Sequence, residues 1–226
     1  MITDAIQAWV IHKYWSGDTS VRVVFFTEEL GLINCFYKGG RTPKKQALLQ
    51  AFLPLWLVMD KRGEAYFVRN LEMSASSLPL LGQRLFAGLY VNELLHLMMQ
   101  LQDAHPALYF AYQEALHALS MADERSALEV ILRRFERSLL SACGYHLSLT
   151  HDVYSLDPID KNSYYRFLPG EGFISADNGI LGAYIIALDE DKLDNSAVLQ
   201  AAKRIMRCAI DHALDGRALK TRALYR

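Results

Sequence analysis

The chain has 226 residues, 52% hydrophobic and 22% charged, which is enough to bury a core in one large or two small domains. The longest apolar runs, such as 51–59, are too short to span a bilayer, and the first residues carry Asp4 and lack the basic-then-apolar order of a signal peptide; neither a membrane protein nor an exported one is expected. Three cysteines, Cys35, Cys143 and Cys208, stand far apart with no C-x-x-C pair, which argues against a disulfide framework and a cysteine zinc site and predicts free thiols in a reducing cytoplasm.

The net charge of −1 hides a segregation: residues 1–80 carry +2, residues 81–198 carry −8 and residues 199–226 carry +5. A uniformly basic protein is excluded. A protein that offers a polyanion one basic face made from both ends of its chain is not.

In chain order, residues 6–15 and 21–27 are rich in aromatic and β-branched residues and flank the turn Ser16-Gly17-Asp18, which predicts a hairpin. A third strand, 32–37, follows Gly31. Strands at 52–59 and 64–71 are joined by the tight turn 60–63, and Pro54 confines the start of the first to an edge or a bulge. Five short strands suit a small barrel, and among these the OB-fold is the one that commonly takes single-stranded nucleic acid. Residues 74–79, S-A-S-S-L-P, mark a boundary between a barrel domain over 1–79 and a helical domain over 80–226. The architecture expected is therefore α+β.

Three helices are predicted at 82–100, 106–120 and 123–143, the first apolar on nearly every side and the last stopped by Gly144. Residues 146–194 read as an irregular insertion with short strands at 164–167 and 172–175 and a turn at Asn178-Gly179. Asn195 or Ser196 caps a final helix to Leu214, and Gly216 precedes a basic tail.

Between the third strand and the fourth, Lys38, Arg41, Lys44 and Lys45 occur with no acid among them, and Gly39, Gly40 and Pro43 predict a loop there rather than strand or helix. Cations crowded on a loop repel one another and suit a run of phosphates, although a solvated loop kept polar for solubility has the same composition. On the last helix Lys203, Arg204 and Arg207 leave Ala202, Ile205, Met206 and Ala209 to pack inward, and Arg217, Lys220 and Arg222 extend the cations into the tail. A fraying, solvated end is the alternative.

Signatures of catalysis are missing: there is no phosphate loop, no G-x-G-x-x-G after a strand, no H-E-x-x-H and no G-x-S-x-G, so no enzyme, metal or cofactor is expected. The histidines are scattered. Glu93, in an apolar helix, reads as a structural carboxylate with Arg133 or Arg134 as its partner. Most first-domain aromatics are needed as core, and strand alternation frees at most one of each adjacent pair, such as Phe36 and Tyr37. An adaptor whose barrel binds a peptide or subunit, with incidental basic ends, is the competing reading.

Several stretches resemble one family, the bacterial recombination mediator RecO. They are V-x-F-F-T-E-E-L-G-L (23–32), Y-K-G-G-R (37–41), L-F-A-G-L-Y-V-N-E-L-L (85–95), L-R-R-F-E-R-x-L-L-x-x-C-G-Y (132–145) and G-R-A-L-K-T-R-A-L-Y-R (216–226), in family order across nearly the whole chain. The resemblance implies an N-terminal OB-fold, a helical domain behind it, and a non-catalytic task in DNA repair at the nucleoid. That task is binding single- and double-stranded DNA, annealing complementary strands and helping RecA replace single-strand-binding protein, with RecR as partner. Some members carry a four-cysteine zinc module before the last helix; residues 147–199 contain no cysteine, so the metal does not carry over. The family also docks the acidic tail of single-strand-binding protein on its helical domain. Arg133, Arg134 and Arg137, beside Leu132, Phe135, Leu139 and Leu140, are the candidate clamp here, unless they merely neutralise Glu129, Glu136 and Glu93.

Overall fold

Alternating apolar residues draw the N-terminal stretch into five strands in the computed structural model, which describes residues 4–225. They are β1 (Ile6–Ser16), β2 (Ser20–Thr27), β3 (Gly31–Tyr37), β4 (Pro54–Arg62) and β5 (Ala65–Met73). The strands close into a barrel in the order β1-β2-β3-β5-β4, with β4 pairing back to β1. Every pair is antiparallel except β3–β5. This is the OB-fold expected from the sequence. Val21, Val23 and Phe25 of β2, Ile33, Cys35 and Tyr37 of β3, and Leu55, Leu57 and Met59 of β4 fill the inside. The Val, Leu, Ile, Phe and Met side chains among them each contribute about 1.5–3 kcal/mol on full burial. Burial pushes the Cys35 thiol up to about 12, so it packs as an inert apolar group. Pro54 stands at the first residue of β4, where a missing N–H is tolerated.

By parity Trp9, Phe26 and Leu32 point out of the barrel, yet all three are buried. Two helices, α2 (Gln83–Met98) and α3 (Pro106–Met121), explain why. The ring of Tyr112 meets those of Trp9 and Phe26 edge-on at 5.7 and 5.6 Å, and Tyr109 meets Phe26 at 5.4 Å. The β1 ladder shifts register between Val10 and His12, and the buried Asn92 of α2 reaches into that irregularity, donating to the Val10 carbonyl at 3.4 Å and accepting from the Tyr112 hydroxyl at 2.9 Å. Gly88 of α2 leaves room for the Phe52 ring, since a Cβ there would lie 2.8 Å from its Cζ.

Two compact units result, one comprising Met1–Ala122 with Leu219–Arg226 and the other Asp123–Ala218. The second unit holds α4 (Arg125–Ala142) and α6 (Ser196–Leu214), each with one apolar face turned inward. On α6 these inward residues include Ala202, Ile205, Met206 and Ala209, as expected. Asn195 caps α6 by accepting the Ala197 N–H at 2.8 Å, and Gly144, at φ +83°, ends α4.

The stretch read as irregular, 146–194, is more ordered than expected. β6 (Tyr164–Leu168) pairs with β7 (Gly172–Ala176) and with the short β8 (Ile180–Leu181), and a helix, α5 (Gly182–Asp189), follows. G-A-Y-I-I-A-L-D is apolar all round, so α5 offers no periodic face to read from the sequence. Among the described residues no helix is long and apolar enough to cross a membrane.

Candidate nucleic-acid interface

Beyond β3 the chain turns sharply. Gly39 takes φ +65°, the Gly40 N–H donates to the Tyr37 carbonyl at 3.1 Å, and the Arg41 N–H to the Thr19 carbonyl at 3.1 Å. The predicted loop then becomes helical: α1 (Pro43–Leu48) carries Lys44 and Lys45. The reason is position, because Pro43 stands at the first helical residue, where a missing N–H is no loss and φ is already helical.

The segment is tied at several points. Gln46 donates through Nε2 to the Gly40 carbonyl at 2.6 Å, and Lys13, a cation not singled out from the sequence, donates to the Leu49 carbonyl at 2.9 Å. Lys45 lies half-buried, with its ammonium 4.4 Å from the centre of the Tyr37 ring and donating to the Lys38 carbonyl at 2.8 Å. It belongs to the scaffold. Lys38, Arg41 and Lys44 are exposed, and among the described residues no carboxylate lies within 4 Å of their charges. The Arg41 guanidinium sits 4.7 Å from the centre of the Trp15 indole, a ring 64% exposed. An aromatic face beside cations that lack acidic partners can take a base together with its phosphates.

The C-terminal cations divide between the two units. Lys220 and Arg222 lie on a 3₁₀ turn, Lys220–Tyr225, that clusters with the barrel. Its first backbone N–H groups, those of Lys220 and Thr221, donate to the Glu93 carboxylate at 2.8 and 2.9 Å. Glu93 is thus structural, but the arginine partner expected for it is replaced by backbone donors that a sequence pattern cannot display. Lys203, Arg204, Arg207 and Arg217 belong to the second unit. Lys203 pairs with Glu129 at 3.1 Å, Arg217 donates to the Leu214 carbonyl at the end of α6, and Arg204 and Arg207 are exposed.

The three α4 arginines proposed for the clamp are all engaged. Arg133 is buried and pairs with the buried Glu136 at 2.6 Å, one turn along the same helix. Arg134 pairs with Asp191 at 2.9 Å. Arg137 donates to the Leu188 and Asp189 carbonyls at the end of α5 and pairs with the Asp189 carboxylate at 3.1 Å. An open cleft of about 160 Å³ in this unit is lined by Tyr145, His146, Phe167, Glu171 and His212 among others, and none of the three arginines reaches it. Among the described residues no three His, Cys, Asp or Glu side chains are placed to hold a metal ion.

The sequence did not single out Arg22, Lys61 and Arg62. Arg22 and Arg62 stand over Phe36 and Phe67 at 4.6 and 5.4 Å, and Lys61 over Tyr66 at 5.4 Å. Strand parity opposite to the buried residues of β2 would have marked Arg22 as outward, but its ring partner lies on another strand.

Comparison with known proteins gives one answer along the whole chain. A family model described as Recombination protein O N terminal matches residues 1–77, and one described as Recombination protein O C terminal matches residues 82–223. The chain is 51% identical to the DNA repair protein RecO of Legionella pneumophila subsp. pneumophila (strain Philadelphia 1) over 226 residues, covering 100% of this chain and 99% of the relative. It is 36% identical to the DNA repair protein RecO of Shigella flexneri, covering 97% of this chain and 93% of the relative, and 34% identical to that of Actinobacillus pleuropneumoniae serotype 7, covering 100% and 95%. With an OB-fold at its N-terminus and both family models matched in order, the chain belongs to the RecO family.

Proposed function

We propose that this chain acts in DNA repair as a recombination mediator without catalytic turnover. It binds single- and double-stranded DNA, anneals complementary strands, and helps load RecA onto DNA coated with single-strand-binding protein, with RecR as partner, at the nucleoid. The observation that carries the reading is the anchored array of Lys38, Arg41 and Lys44 beside the exposed Trp15 ring. Cations carried on a backbone already held in place need less ordering when they meet phosphates, and counterion release supplies the affinity.

Titration of a fluorescent single strand at several salt concentrations tests it. Log affinity should fall by about 0.7 per phosphate contact per log unit of salt, and Lys38→Ala, Arg41→Ala and Lys44→Ala together should weaken binding and flatten that slope. A slope near zero in the unaltered protein would instead favour a barrel that binds a peptide. The tail of single-strand-binding protein is assigned to the second unit, with Arg134 or Arg137 of α4 as the carboxylate partner.

A further inference from the structure

One row of residues crosses the outside of the barrel in register. Tyr14 of β1 pairs with Arg22 of β2, Arg22 with Phe36 of β3, and Phe36 with Phe67 of β5. The two phenyl rings stack at 5.6 Å with 24° between their planes. The Arg22 guanidinium covers Phe36 and that of Arg62 covers Phe67, giving an Arg–Phe–Phe–Arg stack across the sheet.

Two things set this row apart from ordinary cross-strand packing. The other end of the same outer face is sealed by α2 and α3, whereas here the phenyl rings stay half-exposed and both arginines exposed. Arg22 and Arg62 also have no carboxylate within 4 Å among the described residues, although Asp60, opposite Phe67 in the ladder, is close by and pairs instead with Arg69 at 3.8 Å. A guanidinium lying on an exposed ring is held weakly, and a nucleobase stacks on the same ring more strongly. Displaced by a base, the guanidinium keeps its charge at the strand and has a phosphate within its natural reach.

We propose that Arg22, Phe36, Phe67 and Arg62 form a stacking strip for an unpaired DNA strand, the bases taking the phenyl faces and the two arginines moving from ring to phosphate. The strip gives the barrel its preference for single strands, because paired bases present no free faces. This rests on the reading above that the barrel unit binds DNA.

The test compares an oligothymidylate, an abasic strand of the same length and a hairpin duplex, each titrated against the full chain and against Phe36→Leu/Phe67→Leu, with thermal unfolding as the fold control. Abasic and normal strands carry the same phosphates, so the strip predicts that the unaltered protein prefers the normal strand by on the order of tenfold and that the double variant loses that preference. The variant should keep its salt slope and its affinity for the abasic strand. Equal binding of normal and abasic strands, or a preference that survives in the folded variant, overturns the strip while leaving DNA binding intact. Failure to bind any of the three overturns DNA binding itself. Should the variant not fold, photo-crosslinking of an iodouracil-substituted strand to the unaltered protein decides the question. Adducts at Phe36 or Phe67 support the strip, and adducts only elsewhere reject it.

Discussion

The Glu93 carboxylate holds Thr221 by two bonds, accepting its backbone N–H at 2.9 Å and its hydroxyl at 2.5 Å, across 128 positions of sequence. With the Lys220 N–H on its other oxygen, Glu93 anchors the start of the C-terminal turn. Charge-assisted bonds of this kind are worth about 1.5–3 kcal/mol each where they are dry and less where water competes. Glu93→Ala should therefore expose the Lys220 and Thr221 amides to hydrogen exchange and cost about 1–2 kcal/mol on thermal unfolding. Amides that stay protected in the variant would place the anchor elsewhere.

Asp152 ties the turn that follows it to β7. One carboxylate oxygen accepts the N–H groups of Tyr154 and Ser155 at 2.8 and 3.0 Å, and the other accepts that of Ser175 on β7 at 2.6 Å. Those donors hold its carboxyl below the usual 3.8, led by the bonds from Ser155 and Tyr154. A depressed carboxyl contributes stability above its unfolded value and loses it as pH falls through the lower folded value. Asp152→Ala should cost about 2–4 kcal/mol near neutrality. The gap to the unaltered protein should close only in acid below 3.8, read from unfolding curves across that range.

The arginines of α4 should separate by burial. Arg133→Ala leaves the Glu136 carboxylate buried without its cation and should cost about 3–5 kcal/mol. Arg134→Ala breaks an exposed pair and should cost about 1 kcal/mol or less. Chemical denaturation of both variants checks the order. For an acidic tail peptide ending in an aromatic residue, Arg134→Ala and Arg137→Ala are then the informative variants, and a loss of about 1.5–3 kcal/mol in either marks the clamp.

Partial desolvation and nearby cationic groups should make acid unfavourable for the barrel unit. His12 and His96 stack at 4.6 Å, and Tyr14 bonds to His96 at 2.8 Å. Burial lowers both imidazoles, His12 further through Lys220 and His96 further through His12, while Glu93 opposes the shift in each. Below 6.5 the unfolded chain binds protons that the folded one refuses, so stability should fall as pH drops from that value toward the lowered folded one. Imidazole titration by NMR should give midpoints below 6.5 for both, and midpoints above it would sink the prediction.

The five strands were legible because their side chains alternate and turn residues punctuate them. The final helix was legible because Asn195 and Gly216 bracket a one-sided apolar pattern. α1 was hidden behind Pro43, whose meaning depends on whether it opens a helix or interrupts one. The apolar α5 was hidden too, and with it the acids that occupy Arg134 and Arg137, since Asp189 and Asp191 read as part of a loop. Of the candidate site, the charges of Lys38, Arg41 and Lys44 could be read directly. That Lys45 serves the scaffold, and that Arg22 and Arg62 flank a phenyl pair, depends on strand register, which no single stretch records. Within L-F-A-G-L-Y-V-N-E-L-L, Gly88, Asn92 and Glu93 turn out to serve Phe52, Val10 and Thr221 in that order.

The barrel unit is discontinuous: Leu219–Arg226 joins it only after the whole of Asp123–Ala218 has intervened. On a ribosome, which releases the chain from its N-terminus, the strands and α2 emerge long before the segment whose amides Glu93 holds. The nascent barrel therefore waits with that carboxylate and the neighbouring face of α2 uncovered while the second unit is made, and its last contacts form only once Thr221 has left the ribosome.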